Sequence, residues 1–401
     1  MAHSFDSVPA DDPLINSVFH RVLVAFASPV HWPGWLLGGV AGLLAVATAA
    51  IWLWRGSSLN DALLVFLIVG SFFLADRDLL AALPRRRITF GPWQSQLFAL
   101  ALPRTAVAVV FGLLLPWLGW RAAFYLNIAV QFLGTLALYR AAIVEPRRLG
   151  VTEVAVTSNK MLPAAPPLRV LHISDLHIER LSVREDQLLA AMAVAQPDLI
   201  LLTGDYVNIS FNVDPETHAQ VRQLLGKLAA PYGVFAVLGT PAVDLPDVIA
   251  PLFAGLPVRL LRDEAVRLSG PGGQPLTIIG LECQHDMAAD SRTLDRLLAT
   301  VSGDGPRLLL YHSPDLMPQA VAHGIDLYLC GHTHGGQVRL PLIGPLLTSS
   351  KLGRRYVMGH YHEGATHLYV SRGVGFEGLG APRVRLFCPP EIAFVEVSGK
   401  Q

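Results

Sequence analysis

Cysteine is scarce in this chain of 401 residues: Cys283, Cys330 and Cys388 are the whole supply, and no two form a C-x-x-C pair. There is no disulfide framework to read, and the odd count fits a reducing compartment. Charge is scarce as well. The charged residues make up 15% and the formal net charge is zero, so no bulk attraction to nucleic acid is expected. No basic segment precedes a short apolar core near residue 1, which argues against an ordinary signal peptide. Residues 1–33 read as a tail with acidic Asp6, Asp11 and Asp12, in which 16–30 is apolar enough for an interfacial helix. Internal repeats and low-complexity tracts are missing. Apolar residues are what the chain has in excess, at 52%, too many for an ordinary soluble enzyme and pointing to a part that sits in lipid.

That part is 34–144. Gly34–Trp54 carries no charge, is long enough to cross a bilayer and has tryptophan at both ends. Residues 62–75, 97–120 and 122–139 supply three further candidates, so about four spans are expected. Pro103 and Arg104 interrupt the third near its start, and Arg104 would have to snorkel to the interface. No span shows a paired charge cluster of the kind that marks an ion path, which counts against a transporter. Arg85–Arg87 follow the second candidate, and Arg140, Arg147 and Arg148 follow the fourth. With four spans both basic sets lie on one side, the cytoplasmic one, together with everything downstream. The expected location is therefore the cell inner membrane, multi-pass, with the downstream domain in the cytoplasm. Residues 145–168 read as a proline-rich linker in which 151–156 could be an edge strand.

From 169 onward, short apolar runs alternate with helical patterns, which argues for a largely parallel sheet covered by helices. The run in RVLHISDLH (169–177) stops at Ser174, and Asp175 and His177 follow. Leu199–Leu202 is ended by Thr203-Gly204-Asp205, residues 308–311 by His312, and Leu327–Cys330 by Gly331-His332-Thr333-His334. Four strand-like runs thus each end in Asp or His. In open α/β sheets chemistry collects past the carboxyl ends of strands, and carboxylate and imidazole are good ligands for a divalent metal.

The order D-x-H, G-D, H, G-H-T-H resembles the calcineurin-like metallophosphoesterase superfamily. The blocks GHTHGGQVRLP (331–341) and YVSRGVG (369–375) look most like its membrane-associated bacterial branch. The resemblance covers roughly Leu168 to Val397. It implies a four-layer α/β sandwich over 169–398, preceded here by an all-α transmembrane region, and a phosphoester hydrolase using two divalent metal ions. It implies that Asp175, His177, Asp205 and His334 hold the first ion, that His312 and His332 hold the second, and that Asp205 bridges both. Mixed nitrogen and oxygen ligation suits manganese, iron or zinc.

One motif departs from the family. After VFAVLG the family has Gly-Asn-His, whereas this chain has Gly239-Thr240-Pro241. Thr240 replaces an amide that ligates the second metal, and Pro241 replaces the histidine that protonates or orients the leaving group, so no catalytic acid is assigned. Thr240 and Asp244 are carried as possible metal ligands. The expected function is hydrolysis of a phosphoester or pyrophosphate in a phosphorylated small molecule or lipid. The alternative is a catalytically weak or silent metal- or phosphate-binding membrane module. Among other polar residues, His172 reads as a core histidine, and His285, His360 and His362 as solvated ones. Asn208 reads as a turn residue or phosphate contact, Glu282 as a cap, and Arg354, Arg355 and Arg372 as solvated charges.

Overall fold

The computed structural model describes residues 18–400 apart from 163, 302 and 377. Asp6, Asp11 and Asp12 of the expected tail lie outside them. Two compact units form, one from Ser17–Val144 with Gly378–Val384, the other from Glu145–Glu377 with Arg385 onward.

The first unit is helical: α1 (Val18–Ala27), α2 (Gly34–Trp54), α3 (Leu59–Ala82), α4 (Trp93–Leu118) and α5 (Trp120–Tyr139). The helices α2 and α4, and α5 with the turns that prolong it to Arg147, are long and apolar enough to cross a membrane. Four were expected. The helix α3 has the length, at 24 residues, but Asp76, Arg77 and Asp78 near its end make it less apolar. One of those charges joins a pair that no single span shows, because its partner lies on another helix. Asp76 accepts from Nε and Nη2 of Arg104 at 2.6 and 2.7 Å, and both side chains are buried. Arg104 also donates to Gln131 Oε1 at 3.3 Å and Thr135 Oγ1 at 3.1 Å. Three helices therefore share one polar network, which the sequence hides because its members lie on different helices. One turn further along α4, Trp52 donates to the Ala108 carbonyl at 2.8 Å, and it meets Trp120 edge-on.

The second unit is built on fourteen strands. They are β1 (Gly150–Ser158), β2 (Leu168–Ile173), β3 (Leu199–Leu202), β4 (Val234–Ala236), β5 (Val258–Leu260), β6 (Glu264–Ser269) and β7 (Pro275–Gly280), followed by β8 (Arg307–Leu310), β9 (Leu327–Cys330), β10 (Arg339–Leu340), β11 (Gly344–Pro345), β12 (Gly359–Glu363), β13 (Thr366–Val370) and β14 (Glu391–Gly399). One six-stranded sheet runs β1-β14-β2-β3-β4-β5 and the other β12-β13-β9-β8-β7-β6. Nine residues of the segment read as a linker form the edge strand β1, paired in parallel with β14 along its whole length. Residues 384–387 contribute only an isolated bridge, from Leu386 to Val338.

The central strands are apolar at most positions because both faces of each sheet are covered. Side chains alternate between faces. Val170, Leu199, Leu201, Leu308, Leu310 and Leu329 point into a core between the sheets. Leu171, Ile200 and Leu202 point the other way, onto helices Val183–Ala195 and Pro215–Leu225. Leu309 and Tyr328 face helices Met287–Thr300 and Met317–Ala322. Three cores separate four layers, helix, sheet, sheet, helix, and the α/β sandwich is the observed fold. The helix at 183–195 starts at a capping box, in which Ser182 and Glu185 satisfy each other's backbone N–H groups.

Candidate metal centre

Parallel strands put their carboxyl ends on one edge, and that edge gathers the polar residues. Asp175 and His177 follow β2, Asp205 follows β3, Thr240 follows β4, His312 follows β8, and His332 and His334 follow β9. None of the seven is more than 5% exposed. Asp175, His177, Asp205, His332 and His334 all have positive φ, between 40° and 70°. For residues with a Cβ this is a costly conformation that persists only where the surroundings impose it, and it clusters at functional sites. Two glycines make the crowding possible: a Cβ on Gly331 would collide with the Asp175 carboxylate, and one on Gly239 with that of Asp205.

Two overlapping groups result. In one, single ligand atoms of Asp175, His177 and His334 all lie within 4.8 Å of one another; in the other, those of Asp175, Asp205 and His312 do. Asp205 Oδ2 lies between them, 3.4 Å from His177 Nε2 and 3.2 Å from His312 Nε2. The Nε2 atoms of His177 and His334 stand 3.1 Å apart, so at least one is a bare lone pair. His312 Nδ1 lies 2.7 Å from the Thr203 carbonyl, a contact that requires a proton on Nδ1. His332 falls outside both groups. Its ring centre is 5.0 Å from that of His312, and its Nδ1 is 3.5 Å from Thr240 Oγ1. Asp175 accepts the His332 backbone N–H at 3.0 Å, which ties the β2 and β9 loops together.

Electrostatics mark the same residues. Burial opposes charge on Asp205, yet His312 beside it, with His177 and His332, holds its carboxyl below the usual carboxylate range. Burial likewise opposes charge on His312, but Asp205 and Asp175 lift it to about 10. Burial, then His312, lowers His332 to about 4. Burial and the neighbouring His177 and Arg385 push His334 well below its ordinary value. The cluster therefore offers carboxylate oxygens in a dry site, with neutral imidazole nitrogens at His332 and His334, while His312 stays protonated beside Asp205 and would give up its Nε2 proton to a bound cation. Such a donor set is expensive to bury unless a cation compensates it. Clustered aspartates and histidines of this kind fit a dinuclear metal site.

Among the other polar residues, His172, Asn208, His360 and His362 sit as expected, whereas Asp244 and the three arginines do not. Asp244, carried as a possible ligand, is spent on the backbone: it accepts from Asp205 N at 2.7 Å, Tyr206 N at 2.9 Å and Gly239 N at 2.8 Å. Both of its oxygens are thereby turned to amides. Thr240 donates its own N–H to Asp205 Oδ1 at 2.7 Å. His172 is buried and reaches Thr203 Oγ1 at 2.8 Å. Asn208 accepts from Ser210 N and donates to the Phe376 carbonyl, the work of a turn residue. Glu282 pairs with Arg262. Arg354 binds the carbonyls of Ile343 and Pro345, Arg355 pairs with Glu363, and Arg372 pairs with Glu391, so none of the three is simply solvated. His360 and His362 are exposed and stack on His367.

His285 was read as solvated and is not. It is 4% exposed, its ring centre is 4.6 Å from that of His332, and its Nε2 is 3.3 Å from Thr240 Oγ1. It lies just beyond β7, so the strand-end rule that selects the other residues would have selected it too. The polar run Glu282-Cys283-Gln284-His285-Asp286 masked its burial.

Residues 168–239 match the family model described as calcineurin-like phosphoesterase. The metallophosphoesterase YkuE of Bacillus subtilis (strain 168) is 30% identical over 257 residues, covering 63% of this chain and 86% of that protein. Phosphodiesterase YaeI of Escherichia coli (strain K12) is 31% identical over 245 residues, covering 58% of this chain and 83% of that protein. A Bos taurus protein described as a transmembrane protein with metallophosphoesterase domain is 27% identical, covering 57% and 53%. With a metal-ligand cluster at the strand ends of a double-sheet sandwich, and with relatives matched over most of their length, the chain belongs to the calcineurin-like phosphoesterase family.

Proposed function

We propose that this chain is a membrane-tethered, metal-dependent phosphodiesterase whose substrate is a phosphorylated amphiphile, including pyrophosphate-bridged lipids. The observation that carries the reading is Asp205 Oδ2 placed between His177 Nε2 and His312 Nε2, where one carboxylate can serve two cations. Asp175, His177, Asp205 and His334 would hold the first ion, and Asp205, His312 and His332 the second. Two bound cations would supply a hydroxide near neutral pH and offset charge on the phosphoryl oxygens. This chain's residues do the rest. Thr240 N–H fixes the free oxygen of Asp205, and the His312 contact with the Thr203 carbonyl aims Nε2 at the centre. Pro241 has no proton to give, so a leaving group that needs little protonation, as in a pyrophosphate, suits the site better than a poor one.

The helical unit supports tethering. In this reading α3 crosses the bilayer as well, its Asp76 neutralised by Arg104. Four crossings put Arg85–Arg87 and Arg140–Arg148 on the cytoplasmic side of an inner membrane, with the phosphoesterase unit. Several helices, rather than one, suit a substrate that itself lies in the bilayer.

The second reading, a silent metal- or phosphate-binding module, is favoured by Thr240-Pro241 alone. Purified full-length protein in detergent, given Mn²⁺ and bis(p-nitrophenyl) phosphate beside an Asp205→Ala control, separates the two. Turnover lost in the control supports the enzyme. Equal rates for both proteins across manganese, iron and zinc support the silent module. Hydrolysis of soluble diesters as fast as any lipid phosphate removes the amphiphile from the proposal.

A further inference from the structure

We propose that His285 completes the second cation position in place of the amide that Thr240 lacks, an inference that rests on the two-ion reading above. The family pattern leaves that position one side chain short in this sequence, and the structure puts an unassigned imidazole at the gap. His285 Nε2 is 3.3 Å from Thr240 Oγ1, the group standing where the amide is missing, and the same oxygen is 3.5 Å from His332 Nδ1. Its ring lies 4.6 Å from that of His332 and 6.5 Å from that of His312, centre to centre.

Three further observations separate this from a chance core histidine. His285 has φ +54°, the left-handed backbone it shares with Asp175, His177, Asp205, His332 and His334. It sits past the carboxyl end of β7, on the edge where the other ligands gather. The loop is pinned on both sides: Gln284 N–H donates to Asp290 at 3.3 Å, Lys351 binds the His285 carbonyl, and Asp286 caps the helix that follows. Such bracing holds a ring in one place, as a ligand requires.

The substitution changes the chemistry of the position. Imidazole nitrogen is softer than amide oxygen, so the second position would carry three nitrogens and the Asp205 oxygen, a set that suits zinc or iron better than magnesium.

The test counts ions. Full-length protein in detergent is stripped with chelator and titrated with Zn²⁺, and bound metal is measured by mass spectrometry after equilibrium dialysis. Wild type is expected to hold two ions. His285→Ala is expected to keep one and to bind the other at least 10-fold more weakly, the lower end of the roughly 10–100-fold lost with an outer partner of a metal ligand. Adding Thr240→Asn to that variant is expected to restore the second ion. If His285→Ala does not fold, His285→Phe keeps a ring without a nitrogen and carries the same expectation, with thermal melting as the folding check. Two ions bound to either variant with wild-type affinity would overturn the role of His285 and leave the two-ion reading standing. A wild type that binds only one ion overturns the role of His285 and the two-ion reading together. A wild type that binds none overturns both.

Discussion

Replacing Asp244 by alanine removes the acceptor of three backbone amides, those of Gly239, Asp205 and Tyr206, in a loop whose carboxylate has no exposure at all. Among the described residues these three amides have no second acceptor. A buried donor left without a partner costs about 1–3 kcal/mol, and three of them set a range of about 3–9 kcal/mol. Alanine also opens a space that water can enter, so the low end, about 3–5 kcal/mol, is the expected loss. For a unit of this size that corresponds to a drop of roughly 6–20 °C in melting temperature. Asp244→Asn keeps one carbonyl oxygen and should lose less than half as much. Because Asp205 N–H is one of the three amides, the Asp205 carboxylate should move as well, and metal uptake should weaken in Asp244→Ala. Circular dichroism melts of the detergent-solubilised protein, with and without Zn²⁺, read both effects. A Tm within 2 °C of wild type would show that the three amides find other acceptors and that Asp244 does not anchor the loop.

Leu201, fully buried between the sheets, should cost about 2–5 kcal/mol on truncation to alanine, read by urea unfolding. The Asp290 carboxyl accepts from the Tyr311 hydroxyl at 2.6 Å, and burial pushes it up to about 6. A folded value above the ordinary one favours the protonated form, so its contribution is complete below about pH 4 and is lost as pH rises through about 6. Asp290→Asn should flatten the pH dependence of Tm in that window, and parallel curves for the two proteins would contradict the assignment. In the helical unit, Asp76→Ala or Arg104→Ala each leaves a charge unpaired and should cost about 3–5 kcal/mol, whereas Asp76→Leu with Arg104→Met should cost much less. Thermal stability of the four proteins in one detergent measures the coupling.

The strand ends were legible because each strand is a short run buried on both faces, and the change to Asp or His at its end is abrupt. Leu199–Leu202 before Asp205 and Leu327–Cys330 before His332 show this plainly. What could not be read depends on contacts between distant segments. Asp244 looks like a spare carboxylate until the ends of β3 and β4 are brought together and its oxygens meet their amides. His285 looks solvated in a polar run until His332 closes over its ring. Asp76 and Arg104 look like two defects in apolar helices and are one ion pair. The edge strand β1 was legible over 151–156, but its parallel partner near residue 391 was not, because a partner so distant in sequence leaves no local signal.

That pairing has a consequence for how the protein is made. The strand β14 lies between β1 and β2, so the first sheet stays split until Glu391–Gly399 have left the ribosome. Both flanks of the gap must wait with open hydrogen-bonding edges, the kind of surface that invites chaperones or aggregation during translation. Nascent chains arrested before residue 391 should therefore be far more sensitive to protease than released ones.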